Sequence, residues 1–382
     1  MIELAKRIHT LQENDEDVVI EGQHITADRS MRLYGEITFK NCDVEIAPHS
    51  APRFVIESEA SVTFENCRFT GEIFDRSRDR GTHPPVITAP EDSTLTFTGC
   101  RMENPDDFIR SEGAVELRGC EIRYSGGTAS ADSTAPAGSS SPSGTVLLSP
   151  FSILQIPFAV RKPFGVPVCE FLRADGEDVE LTDCTVDCGD NDAFSVIFPM
   201  EHGRLRNCRL KGVLQLEADA LENCTLENCV TVSLQTEDGN NEATDCRFLN
   251  CREIICNYAG LTGCEIIGLR DNFAFENSSA TRCTFRDMTP GTDGIIDLDE
   301  SDMTGCTFEN ITLKDDRYLF DSDNESSLDG CTFKNCRTTR EDLQLVSTGG
   351  YKGRLLKQWV EDDICSGCTG LEKVIHIESW EE

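Results

Sequence analysis

Histidine, lysine, tryptophan and tyrosine are scarce in this chain of 382 residues, which holds 6 His, 9 Lys, 2 Trp and 5 Tyr. Histidines stand only at positions 9, 24, 49, 83, 202 and 376, with no pair two or four residues apart. A His-based metal site or a Ser-His-Asp triad therefore has no local sequence to build on. A glycine-rich phosphate loop is also missing. Lys and Arg number 35 against 69 Asp and Glu, a net charge of −34, and no cluster of basic residues interrupts the acid. Contact with the phosphates of DNA or RNA, or with anionic lipid, needs such a cluster and is excluded as the role of this surface. No apolar run fits a membrane span. The longest, Leu147 to Leu172, contains Pro150, Pro157, Pro163 and Pro167 and the pair Arg161-Lys162. Helical periodicity is absent around the chain's recurrent motif, which rules out helical repeats.

What the chain does have is a repeat, in its plainest form Met303-Thr-Gly-Cys-Thr-Phe-Glu-Asn310. Twelve copies align on cysteines 42, 67, 100, 120, 184, 208, 224, 246, 264, 283, 306 and 331. Three residues before the cysteine the side chain is always apolar, from Phe39, Phe64 and Phe97 to Met303 and Leu328; two residues after it the same holds, from Val44 and Phe69 to Phe308 and Phe333. Cysteine and the +2 residue share one face of a strand, but the −3 residue has the wrong parity. A bend must lie between them. The residue before the cysteine is Asn, Asp or Gly in every copy except Arg282, and these types tolerate the left-handed backbone region. A second such column stands at +4, including Gly71, Asn104, Gly212, Asn228, Asn250, Gly268, Asp287, Asn310 and Asn335.

Short strands and tight corners repeating mostly every 16 to 25 residues predict an all-β solenoid of stacked parallel strands. Twelve of the 20 cysteines then face the interior as small buried hydrophobes, and free thiols are expected. Apolar Ile2, Leu4, Ala5, Ile8 and Leu11 predict an N-terminal capping helix within residues 1–16, followed by the coil over 17–345. The wide gap between Cys120 and Cys184 marks an insertion, 124–176. Its Ser/Gly/Ala-rich part, 125–146, has nothing to bury and is expected to be disordered. The apolar part, 147–172, is read as extended strands along a flank or as drifted turns of the coil, with a partner-binding or self-association flap as the alternative. Residues 346–382 are expected to close the C-terminal end, with Cys365 and Cys368 forming a decayed last turn; metal or redox chemistry is the alternative. The opening residues carry no continuous apolar segment, so a cytoplasmic, reducing location is expected.

The corner and strand columns, with asparagines stacked at one bend, resemble the right-handed parallel β-helix of the pectate-lyase type over roughly residues 17 to 345. That resemblance implies the handedness and a single-stranded coil. The acid excess, with 9 Lys against 26 Arg, is similar to that of proteins from extreme halophiles. Within the coil, Thr289-Pro-Gly-Thr-Asp293-Gly and the later pair Asp315-Asp316 are similar to the Asn-Thr-Asp and Asp-Asp motifs of polygalacturonase-like glycoside hydrolases. The resemblance implies Asp293, Asp315 and Asp316 as catalytic carboxylates of an inverting mechanism. Gly291 stands where the family has Asn, however, and no Gly-His-Gly follows. Asp297, Asp299, Glu300 and Asp302 nearby would repel an anionic polymer. Asp321, Asp323 and Glu325, or Asp187, Asp190 and Asp192, are candidate calcium ligands by composition.

From these observations the leading expectation is a non-enzymatic intracellular scaffold or interaction protein of a halophile, without a cofactor. Its partner would be an unknown protein or a second copy, bound by its flanks and loops. The alternatives are a polysaccharide hydrolase or lyase, and a viral or surface fibre protein that recognises glycans.

Overall fold

The computed structural model describes residues 18–47, 51–71, 84–105, 107–124, 168–174, 178–189, 195–198, 202–235, 241–288, 296–313, 320–322, 326–338 and 346–347, together with Lys6, Ile8 and Thr10. They form a right-handed coil of parallel strands with three faces. Two faces are sheets of 13 strands each, and the third is divided between a five-stranded and a nine-stranded sheet. One coil shows the plan: Ala259–Thr262 in the first sheet, Glu265–Ile267 in the second, Asn272–Glu276 in the third, and Ser279–Thr281 back in the first.

The apolar columns of the repeat become register lines. Phe39, Phe64, Phe97, Leu117, Leu181, Leu205, Leu221, Ala243, Leu261, Ala280, Met303 and Leu328 are successive partners in the first sheet. The +2 residues do the same in the second sheet, from Val44 and Phe69 through Phe308 and Phe333. Like residues therefore stack on like. Phe39, Phe64 and Phe97 lie ring on ring at 4.8 and 5.1 Å, and Phe285, Phe308 and Phe333 at 5.0 and 4.9 Å. Each such contact adds about 0.5–1.5 kcal/mol beyond the area it buries.

All twelve residues before the repeat cysteine have positive φ, between 50° and 66°, including Arg282 at 54°. Glycine is needed here at some positions for room as well as for φ. A Cβ on Gly99 would stand 2.5 Å from Asn66 Oδ1 of the preceding coil, so the Asn66 side chain occupies the space beside it. The +4 column bends in the same way at Asn104, Gly212, Asn228, Asn250, Gly268, Asp287, Asn310 and Asn335. Gly71 differs: it ends the strand Arg68–Gly71 and has no positive φ. At both corners amides are handed from coil to coil. Asn223 Nδ2 donates to Asn207 Oδ1 at 2.8 Å, and Asn335 Nδ2 to Asn310 Oδ1 at 3.0 Å.

Every repeat cysteine is at most 2 % exposed, and the described cysteines are all free. The structure also gives a reason for cysteine at this position. Cys67 Sγ lies 3.3 Å from the carbonyl of Phe39, one coil back, and 3.4 Å from that of Glu65; Cys208 repeats this with Leu181 and Arg206, both at 3.3 Å. The bend turns carbonyl oxygens inward, and the thiol is a small hydrophobe with a weak S–H to offer them. The second corner reuses the device five residues later. Cys251 Sγ faces Leu226 O at 3.6 Å, and Cys336 Sγ faces Phe308 O at 3.4 Å. Burial pushes the Cys188 thiol up to about 12, so it stays protonated and inert.

Of the segment expected to form the N-terminal cap, Lys6, Ile8 and Thr10 are described and helical, and Ile8 is buried in the core. Within the expected insertion, Val168–Glu170 and Leu172–Ala174 join the two sheets of the third face, and Phe171 stacks on Phe108 at 5.8 Å. Residues 125–167 lie outside the described residues, as do Cys365 and Cys368. No described helix is long and apolar enough to cross a membrane.

Candidate functional site

Asp293, Asp315, Asp316, Asp323 and Glu325 lie outside the described residues, as do Asp190 and Asp192. Asp321 falls in the strand Phe320–Ser322, paired with Ile296–Asp299. Asp187 Oδ1 accepts a hydrogen bond from its own corner, Gly189 N, at 2.9 Å. Among the described residues no group of three or more His, Cys, Asp or Glu is placed to hold a metal ion. The two described histidines are on separate coils, His24 facing Glu45 at 3.6 Å and His202 facing Asp219 at 3.4 Å.

A concave feature among the described residues lies elsewhere, at the corner where the third face turns into the first sheet. This corner follows a rule of its own. The left-handed residues are Tyr258 (φ 50°), Asn277 (φ 48°) and Glu300 (φ 46°), on three successive coils. For a residue other than glycine or Asx that conformation costs about 1–2 kcal/mol. Immediately inside them runs a serine ladder. Ser278 Oγ accepts from Ala259 N, Ser301 Oγ from Ser278 N and Ser326 Oγ from Ser301 N, each at 3.0 Å. The hydroxyls in turn donate to the third-face carbonyls, Ser278 to Glu276 at 2.6 Å and Ser301 to Phe275 at 2.9 Å. One coil earlier Asn241 Nδ2 donates to Asn257 O at 2.9 Å in their place. The ladder satisfies backbone groups that the bend takes out of the sheets, and so fixes the direction in which the left-handed residues point.

On the outer side this corner borders an open groove of about 600 Å³. Its floor is the outward face of the first sheet, where Glu242, Gly260, Ser279 and Asp302 are successive register partners and Thr244 and Thr262 form a parallel line. Its rim carries Tyr258, Asn277 and Glu300. Tyr258 is 54 % exposed, the most exposed large hydrophobic side chain among the described residues. Gly260 leaves space in the floor: an added Cβ would meet nothing closer than Ser279 Oγ at 3.8 Å. Asp302 is held by a hydrogen bond from Ser327 Oγ. Among the described residues that line it there is no Lys, Arg or His.

Such a surface offers an aromatic face, hydroxyls, an amide and carboxylates, and spans four coils, roughly 15 Å at the inter-strand spacing. It can stack on one apolar face of a ring-shaped ligand and exchange hydrogen bonds with that ligand's polar groups. Sequence reading placed Glu300 and Asp302 in the acidic background of Asp293 and did not single out Tyr258 or Gly260. The available signal was the run of serines five residues before the repeat cysteine, Ser278, Ser301 and Ser326, with one of the chain's 5 tyrosines beside its start.

No protein-family model matches this chain. No curated protein matches it. Two solved structures are similar to it in overall course. Tailspike protein 3 of bacteriophage CBA120 is 10 % identical with a TM-score of 0.42; the match covers 97 % of this chain and 59 % of the tailspike. The A-module of the mannuronan C-5 epimerase AlgE6 of Azotobacter vinelandii is 9 % identical with a TM-score of 0.36, covering 91 % of this chain and 94 % of the module. The β-solenoid assignment rests on the pairing register described above.

Proposed function

We propose that this chain is a glycan-recognising β-helix and that the groove beside Tyr258 is its sugar-contacting surface. The observation that carries the reading is Tyr258 itself. A bulky side chain is held at positive φ, over half exposed, at the rim of a groove otherwise lined by groups that hydrogen-bond sugar hydroxyls. Folding gains little from that placement, since asparagine or glycine would turn the corner with less strain. Stacking on a pyranose ring is a use for it that needs no other partner on the protein. This reading puts the glycan-recognising alternative above the scaffold expected from sequence.

The test is binding of a panel of neutral, amino and acidic oligosaccharides to the wild-type chain and to Gly260→Leu and Tyr258→Gly, by calorimetry. Leucine at 260 has room at its Cβ and extends into the groove, so the fold is kept and the floor is filled. We expect both variants to lose at least tenfold in affinity at an unchanged circular dichroism spectrum. Sugar binding that survives Gly260→Leu unaltered would place the site elsewhere, and absence of binding across the panel would return the scaffold reading to first place.

A further inference from the structure

The ring of Tyr258 makes no hydrogen bond or ring contact among the described residues, so its aim comes from the backbone it stands on. That backbone is at φ 50°, a conformation tyrosine does not keep unaided. Both peptide groups that flank Tyr258 are held by the next coil. Tyr258 N donates to Glu276 O at 3.1 Å, and Ala259 N, on the other side of the same residue, donates to Ser278 Oγ at 3.0 Å. Ser278 ties the two anchors together, because its hydroxyl donates to the same Glu276 O at 2.6 Å. The side chain that does this is buried, with Ser278 at 6 % exposure.

At the first corner the equivalent place is taken by sulfur. Cys224 N, the amide after the left-handed Asn223, meets Cys246 Sγ of the next coil at 3.4 Å. A hydroxyl oxygen is the better acceptor, and here it stands behind a residue whose left-handed turn is costlier than that of asparagine. The hold is staggered by one coil: Ser301 takes the amide after Asn277, and Ser326 the amide after Glu300. Resting on the glycan reading, we infer that Ser278 is the positioning residue of the recognition surface, acting on the sugar through Tyr258. Without its hydroxyl the Ala259 amide is released and Tyr258 can return to the ordinary negative φ, which turns its Cα–Cβ bond away from the groove. Affinity then falls in proportion to the fraction of molecules that still hold the turn.

The experiment joins affinity to a spectroscopic signature of Tyr258. Tetramers of 1,4-linked glucose, glucosamine and galacturonate are titrated by calorimetry into the full chain and its variants. Labelling with fluorotyrosine gives each tyrosine a fluorine resonance, that of Tyr258 being the one absent from Tyr258→Gly. Ser278→Ala is expected to shift or split this resonance and to lower affinity for the probes that the wild-type chain binds by at least about fivefold. Ser278→Cys keeps a donor for Glu276 O, restores the first-corner arrangement and should fold even if the alanine variant does not; its loss is expected to be at least about twofold. Cys120→Ala removes a buried corner side chain on a distant coil and should leave both the resonance and the affinity unchanged. An unmoved resonance and unchanged affinity in the Ser278 variants, while Tyr258→Gly still abolishes binding, would overturn this inference and leave glycan recognition standing. So would a loss of affinity that Cys120→Ala reproduces, since that would be general loosening of the coil. If none of the three probes binds the wild-type chain, the glycan reading falls and this inference with it.

Discussion

The first two corners of each coil and the third corner face the same task, turning a strand without leaving backbone groups stranded in the core. They use different residues for it. The first two repeat one formula, an apolar residue, a spacer, a left-handed Asx or glycine and then a cysteine or aliphatic side chain, twice within the nine residues 221–229, for example. Their outer surface carries stacked amides and cross-coil ion pairs. The third corner accepts a tyrosine and a glutamate at positive φ, seals itself with a serine ladder and opens onto the groove. Where the formula is kept the chain holds itself together; where it is broken at a visible conformational cost, the surface is available for something else.

The widest separation between the two kinds of corner should come from placing a charge in each. Cys306 is fully buried, and Cys306→Asp would set a carboxylate in the core with no cation to meet it; we expect no folded protein in circular dichroism. Tyr258→Asp at the groove rim should fold normally. A folded Cys306→Asp protein would show that the thiol column is not the sealed interior described here.

Next in size is the serine ladder. Ser301 is buried, accepts from Ser278 N and donates to Phe275 O, so Ser301→Ala leaves both without this partner. The expected loss is about 1–3 kcal/mol in urea denaturation. Cys264→Ala, which removes a weaker donor and a modest apolar volume, is expected to cost about 1–2 kcal/mol. If the serine variant is the less damaging of the two, the ladder is not what holds the third corner.

Tyr258→Gly sharpens the comparison through opposite signs. Relief of the left-handed strain should raise stability by about 1 kcal/mol, while sugar binding falls. Loss of stability on this change would mean that the ring packs for the fold and is no recognition surface.

The smallest effect concerns Glu253, on the outer side of the third face. Its carboxyl is raised above the usual range by burial, a shift opposed by the hydrogen bond from Thr231 Oγ1 at 3.1 Å. A carboxyl with a raised folded-state pKa binds more protons in the native chain than in the unfolded one. Its contribution is therefore full below the unfolded value, about 4.3, and is lost as pH rises through the folded value. Glu253→Gln keeps an acceptor for Thr231 without the charge. It should flatten the melting temperature between pH 4 and 7 and change stability at pH 7 by less than about 1 kcal/mol in the favourable direction. An unaltered pH profile would remove Glu253 as its source.

Much of the coil was legible because its rule is local and its residues are chemically committed. Positive φ selects Asn, Asp and Gly, and interior stacking selects Phe, Leu and Cys, so both strand columns and two corners stand out in the sequence. Arg282 shows the limit: it adopts the same φ of 54° without belonging to the committed set, carried by its neighbours above and below. The third corner was not legible for the same reason enlarged. Neither tyrosine nor glutamate announces a left-handed turn, and the serine column is confined to the last coils. Gly71 erred in the other direction, since glycine permits a bend without imposing one. The groove's residues come from four coils, and only register, which pairs Glu242 with Gly260, Gly260 with Ser279 and Ser279 with Asp302, brings them together.

The five-residue step shared by the first two corners also governs how this molecule can change length. Each coil touches only the one before and the one after, and presents the same stack of carbonyls, amides and thiols to both. Excision of residues 265–283 would place Thr284 after Cys264 and join two coils with matching corners, shortening the rod by one strand spacing, about 4.8 Å. Removal of two or three residues from within a strand would instead misalign every column beyond it. Extra chain must therefore arrive as a complete coil or leave the stack as a loop. Length along the axis is thus a counted quantity, in units of one turn.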